Sequence, residues 1–266
     1  MKKWLGICLT LAAVLSALLA PWLAPHDPLR TEFSESLKPP GAAGHPLGTD
    51  QLGRDLLARL LFGARLALFI GGCTVVVTAV VGGLLGLVAG FVERWPSTVL
   101  MRIVDVQLSF PFILLAMTIN AIVGLGLRNI ILSLSAAGWV VYARVVRGEV
   151  LSVKQRDYVQ AAAALGMGRV RLMFRHVLPN VAPSIIVVAS LQFSSFIVAE
   201  AAISFLGFGV QPPTPAWGSM LSESRDFLYV AWWLAAFPGA ALALTALGVN
   251  LLGDWLRDTL DPKLRV

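Results

Sequence analysis

The stretch SVKQRDYVQAAAALGMGRVRLMFRHVLP, Ser152 to Pro179, is the one long charged interlude in an oily chain. It carries Lys154, Arg156, Arg169, Arg171 and Arg175, a run of four alanines, the hinge-like Gly166-Met167-Gly168 and a closing Pro179. Apolar segments long enough to cross a bilayer flank it on both sides. A basic insert between two membrane spans points to a contact with something soluble, and the fold is read outward from it.

The bulk composition agrees. The 266 residues are 57% hydrophobic and only 14% charged, against roughly 25% charged in an ordinary soluble domain. The net charge of +6 reads as the positive-inside bias of a membrane protein rather than as a nucleic-acid surface. Cys8 and Cys73 lie far apart inside apolar runs and suggest no disulfide framework. His26, His45 and His176 show no metal-ligand spacing, so no metal site is expected.

In chain order, Lys2-Lys3 and the apolar Trp4–Leu23 read as an uncleaved first span, within 1–24. Residues 25–66 form a polar far-side segment. Its Gln51–Leu66 part reads as an amphipathic helix capped by Thr49 or Asp50, with Leu52, Leu56 and Leu60 at i, i+4 spacing. A five-helix core over 67–252 follows, including the charged loop 148–180, and then a tail over 253–266. In the second span, Ala67–Val92, Gly82, Gly86 and Gly90 stand four apart and clear one stripe for a neighbouring helix. A basic turn, Glu93 to Arg102, leads to a third span, Ile103–Leu125, which Pro111 is expected to kink. Asp105 lies near its start. Arg128 opens a fourth span that ends at Tyr142 to Arg147.

The fifth span, Val181–Phe208, is polar on more than one side. Ser190 and Ser194 share one face, while Gln192 and Ser195 occupy another, which suits a central position rather than a lipid-facing one. Glu200 is a carboxylate well inside an apolar run. It is either a pathway residue or a satisfied structural acceptor, and Gln192, Ser195 and Glu200 together are the candidate translocation path. A Pro-rich far-side loop, Gly207–Phe227, precedes the sixth span, Leu228–Leu252.

Six spans place both termini in the cytoplasm. Lys and Arg then favour the cytoplasmic side, with the charged loop on it, by roughly two to one. The expected class is an all-α, polytopic membrane protein with six transmembrane helices. Within the loop, Asp157–Leu165 reads as a helix ended by Gly166 in the left-handed conformation. Arg169–Leu178 then resumes helical spacing, with Arg171 and Arg175 on one face, until Pro179 stops it. Smooth alanines beside arginines make a docking surface for an acidic-rimmed groove. The bland alternative is a solvated spacer between two spans.

The run Gln160-Ala161-Ala162, Gly166 and His176-Val177-Leu178-Pro179 resembles the EAA loop of ATP-binding-cassette importer permeases. His45-Pro46-Leu47-Gly48-Thr49-Asp50 with Gly53-Arg54-Asp55 narrows the resemblance to the dipeptide, oligopeptide and nickel permeases. So do Ser109-Phe110-Pro111, Phe174 to Asn180, Ser204-Phe205-Leu206-Gly207 and Pro215-Ala216-Trp217-Gly218. The chain looks like the C-type member of a permease pair. The resemblance implies half of a translocation channel in the bacterial inner membrane. Its implied partners are a homologous second permease, two cytoplasmic ATPases and an extracytoplasmic substrate-binding protein, besides membrane lipid. The loop would be the coupling helix that docks into an ATPase. No GxxxxGK[ST] loop occurs, so ATP would be used by the partner subunits and no cofactor is expected on this chain. Gln160 replaces the motif's glutamate, and His176 stands at a usually aliphatic position.

The resemblance implies a cargo of short peptides, nickel or metal chelates. A rival reading is an ion-coupled carrier using Glu200 and Asp105, which predicts matching halves and leaves the basic loop unexplained. No His/Asp/Glu or Ser/His cluster shares a membrane depth, so no enzyme is expected.

Overall fold

Leu56–Val92 forms one helix of 37 residues, about 55 Å long at 1.5 Å per residue, and the remaining elements are arranged along it. The computed structural model describes residues 2–92 and 95–260. Among them the elements run as α1 (Lys2–Leu18), α2 (Ala20–Leu23), α3 (Leu56–Val92), α4 (Trp95–Leu108), α5 (Phe112–Val123), α6 (Leu127–Lys154) and α7 (Asp157–Ala164). After these come α8 (Arg169–Phe205), α9 (Trp217–Glu223) and α10 (Trp233–Leu260). Strand pairing among the described residues is limited to two isolated bridges, Ala42 with His45 and Thr49 with Asp55.

Four helices, α3, α6, α8 and α10, are long and apolar enough to cross a bilayer, and α4 with α5 adds a bent pair. At 17 residues α1 is shorter. It breaks at Leu19, because Pro21 has no N–H to donate and its ring crowds the preceding turn.

Several expected boundaries are corrected. The amphipathic Gln51–Leu66 helix is not a separate element, since helix begins at Leu56 and runs straight into the second span. Its cap is Asp55, whose Oδ1 accepts the Ala58 N–H at 2.7 Å. Asp50 instead closes the preceding turn, with Oδ1 accepting the N–H groups of Leu52 and Arg54 at 2.8 and 3.0 Å. The stretch from Trp95 to Arg102 is helix rather than turn, while Glu93 and Arg94 lie outside the described residues. Pro111 does not kink the third span but splits it, and α4 and α5 meet at 95°. Pro179 does not stop α8. A π turn at Met173–Val177 lets the Leu178 N–H reach Met173 O, and the helix continues through Pro179 and Pro183. The last span starts at Trp233, and much of the expected tail is its continuation to Leu260. Residues 261–266 lie outside the described residues.

Packing follows the small residues. Gly82, Gly86 and Gly90 face α6, where a Cβ at Gly86 would lie 2.6 Å from Ala143 O and one at Gly90 2.6 Å from Val150 Cβ. Glycine alone lets the two backbones come this close. The first and last helices clasp in the same way, with Gly6 on Leu251 and Gly248 on Leu9. Trp217, at the start of α9, lies on Gly63 and donates its indole N–H to Leu60 O at 3.0 Å. Gly218 then seats α9 against the Ala201 carbonyl of α8.

Candidate functional site

Three features divide the molecule: a basic knob at the C-terminal end of α3, a cavity at the α4–α5 elbow, and a charged cap at the N-terminal end of α3.

The knob is α7 and the first two turns of α8. Asp157 in the first turn of α7 complements the helix dipole. The helix closes in a Schellman motif, with Met167 N–H donating to Ala162 O at 3.2 Å and Gly166 N–H to Ala163 O at 3.0 Å. Gly166 has φ +84, the left-handed region that glycine enters without penalty. Val159, Leu172 and Val177 are buried against Leu87, Val146 and Val150, so the knob is packed onto the ends of α3 and α6. Arg156 donates to Asn180 Oδ1 at 3.2 Å, and Asn180 Nδ2 donates to His176 O at 2.7 Å, which ties the two sides of the knob together.

Its outward surface contains Gln160, Ala161, Arg171, Arg175 and Pro179, while Ala162, His176 and Leu178 are half-buried. Gln160 turns back to donate to Gln155 O at 3.2 Å. Leu165 at 89% exposure and Val170 at 68% make the tip apolar as well as basic. Sequence reasoning missed both.

At the elbow, Gln192 and Ser195 of α8 line a cavity of about 270 Å³ with Gln107, Phe110, Phe112 and Phe196. Gln107 is held by donating to the Ala136 and Ala137 carbonyls of α6 at 2.8 and 3.0 Å. Phe110, Leu115 and Gln107 also line an apolar cavity of about 530 Å³ with Val99, Ile103 and Val106. The elbow therefore lies between two mainly apolar cavities, and the smaller one also carries the side chains of Gln107, Gln192 and Ser195. Glu200 stands apart from both. It is buried and accepts the Ser204 hydroxyl at 2.6 Å, and Ser204 Oγ accepts the Val210 N–H at 3.2 Å. This chain of bonds pins the turn after α8. Asp105 pairs with Arg144 on an exposed face.

The cap holds a buried charge network. Arg54 Nε donates to Asp50 Oδ2 at 2.6 Å, and Arg54 Nη2 and Arg59 Nη1 each reach Glu223 Oε2 at 3.0 Å. Arg59 also pairs with Asp50. Two guanidiniums and two carboxylates balance, as buried charges require. Beside them His45 donates from Nδ1 to Asp55 at 2.7 Å and from Nε2 to Glu35 at 2.6 Å. A carboxylate on each ring nitrogen favours the charged form of His45. Burial opposes that charge, but the hydrogen bonds to Asp55 and Glu35 outweigh it and raise the pKa. Lys38, and after it His45, hold the Glu35 carboxyl down at about 2. Arg59, Glu223 and Glu35 were not singled out in the sequence, because their partners lie on other elements.

Residues 82–266 match the family model described as the binding-protein-dependent transport system inner membrane component. The chain is 47% identical over 265 residues to the di/tripeptide transport system permease protein DppC of Pseudomonas aeruginosa (strain UCBPP-PA14), covering 98% of this chain and 88% of the relative. It is 42% identical over 249 residues to the glutathione transport system permease protein GsiD of Pectobacterium atrosepticum, covering 94% and 83%. It is 43% identical over 265 residues to the dipeptide transport system permease protein DppC of Escherichia coli (strain K12), covering 98% and 88%.

Proposed function

The chain belongs to the inner-membrane components of binding-protein-dependent transport systems, as an ABC importer permease of the peptide family, and from that premise we propose that it forms half of a translocation channel for short peptides. In this reading it has six spans with α1 as the first, both termini are cytoplasmic, and a homologous permease supplies the other half. Two ATPases hydrolyse ATP below it, and an extracytoplasmic protein delivers cargo at the cap.

The observation that carries the reading is the knob. It is seated on α3 and α6, its tip is apolar and basic, and its second helix is the same rod as the span that lines the elbow cavity. A partner closing on Leu165, Val170, Arg171 and Arg175 would push on α8 directly. Gln107, Gln192 and Ser195 would then line the path with uncharged donors and acceptors, suited to a peptide's backbone amides. Glu200 fixes a turn beside that path rather than lining it.

Peptide, rather than nickel or a metal chelate, is favoured by the cargo in the names of the relatives. Uptake of a radiolabelled dipeptide and of radioactive nickel should be compared in cells with and without the chain. Chain-dependent dipeptide uptake supports the reading, and chain-dependent nickel uptake without dipeptide uptake overturns it.

A further inference from the structure

Between the end of α2 and the start of α3, the loop brings His26, His45 and Asp55 together, each offering a ligand atom within 4.8 Å of the others. We propose that these three residues form a binding site for one divalent transition cation of the zinc, nickel or cobalt type.

Asp55 Oδ2 is the shared vertex. His45 Nδ1 lies 2.7 Å from it and His26 Nδ1 3.5 Å. Tetrahedral zinc with bonds of 2.0–2.1 Å sets its ligand atoms about 3.3 Å apart, so these edges straddle the required spacing. His26 Nδ1 is buried and has no hydrogen-bond partner. An orphaned ring nitrogen beside a carboxylate is costly unless something fills the gap.

The surroundings orient the ligands as a metal site requires. His45 Nε2–H donates to Glu35 Oε2 at 2.6 Å, the carboxylate–histidine pair that fixes a ligating imidazole and raises its basicity. The other oxygen of Asp55 is held by the Ala58 N–H at the start of α3. Two ligands are thus preset. The third is adjustable, because the His26 side chain is 33% exposed and its ring stacks on His45 at 4.8 Å with planes 29° apart. A turn of the His26 ring aims its nitrogen at the ion.

The three ligands border a polar cavity of about 240 Å³ with room for water in the remaining positions. Arg30, on the same cavity, is paired with Glu32. Two imidazoles and one carboxylate favour a borderline transition ion over magnesium or calcium. The bound ion takes the place of the proton between His45 and Asp55 and ties the end of α2 to the start of α3. Nineteen and ten residues separate the three ligands, which is why no ligand spacing is visible in the sequence.

The test is titration of the detergent-solubilised full chain, purified without a polyhistidine tag, with cobalt followed by its visible absorption and with zinc in competition. One ion per chain is expected. His26→Ala should weaken binding at least about 100-fold, and Glu35→Gln about 10–100-fold. His26 is partly exposed, so its variant is not expected to disturb folding, and a melting curve checks this. His176→Ala, in the knob at the far end of α3, should leave the affinity unchanged. The site is overturned by the absence of saturable binding, by an unchanged affinity in His26→Ala, or by loss of binding in His176→Ala.

Discussion

Arg59 and Glu223 lie 164 residues apart in the chain and meet at the N-terminal end of α3, with Arg59 Nη1 donating to Glu223 Oε2 at 3.0 Å. Arg59 is 2% exposed, and Glu223 accepts from Arg54 and Gln51 as well. Glu223→Ala strands two buried guanidiniums with Asp50 as their remaining carboxylate. Removing one partner of a buried pair costs about 3 kcal/mol. We expect the purified chain to melt at a clearly lower temperature, and an unchanged melting curve would show that the network contributes nothing.

The glycine stripe allows a paired comparison within one helix. Gly86→Ala puts a methyl group against the Ala143 carbonyl and Val146, which overpacks the α3–α6 contact at about 1–3 kcal/mol. Gly83→Ala meets only Ile185 Cδ1 at 3.6 Å, an ordinary contact, and should be close to neutral. Equal destabilisation of the two variants would remove the stripe from the packing account.

At the knob, Gly166→Asp forces a side chain into the left-handed region, at about 1–2 kcal/mol. Gly168 has φ −61 and ψ 142, open to any residue. Gly168→Ala should therefore transport normally. Gly166→Asp should insert into the membrane yet lose coupling between ATP hydrolysis and uptake. Normal uptake by Gly166→Asp would end the idea that this turn is mechanically important.

Leu165→Asp changes a side chain that is 89% exposed. Surface changes of this kind alter stability by about 0.5 kcal/mol or less. Unchanged melting combined with loss of ATPase co-purification is expected. Retained co-purification would move the docking surface elsewhere.

Glu200 and Gln192 separate two roles. Glu200→Gln keeps an acceptor for Ser204 and should leave uptake intact, whereas Gln192→Leu removes a polar group from the elbow cavity and should slow it. Reversal of this order in an uptake assay would return Glu200 to the path.

Much of the fold could be read from periodicity alone. The apolar runs marked the four helices long enough to cross a bilayer, and glycines four apart marked a close helix contact. The left-handed turn at Gly166 followed from glycine chemistry. Prolines misled, because a missing N–H leaves the response open. Pro111 sits at a 95° break where a kink was expected, while Pro179 sits in a continuous helix where a stop was expected. The π turn before Pro179 falls where Leu172 and Val177 are packed into the core, a long-range contact. Asp50 looked like a helix cap because aspartate also closes turns, and only the fold shows which donors it accepts. The charge network at Arg59 and Glu223 and the grouping of His26 with Asp55 arise from long-range contacts, which no local pattern records.

The uninterrupted run of α8 from Arg169 to Phe205 has a consequence in leverage. Its 37 residues form a rod about 55 Å long, so tilting one end by about 5° swings the other by about 5 Å. That is on the scale of a peptide's width. If the knob is the docking surface proposed above, a small stroke there would reach the opposite end of the same helix, where the Ser204–Val210 hydrogen bond holds the following turn.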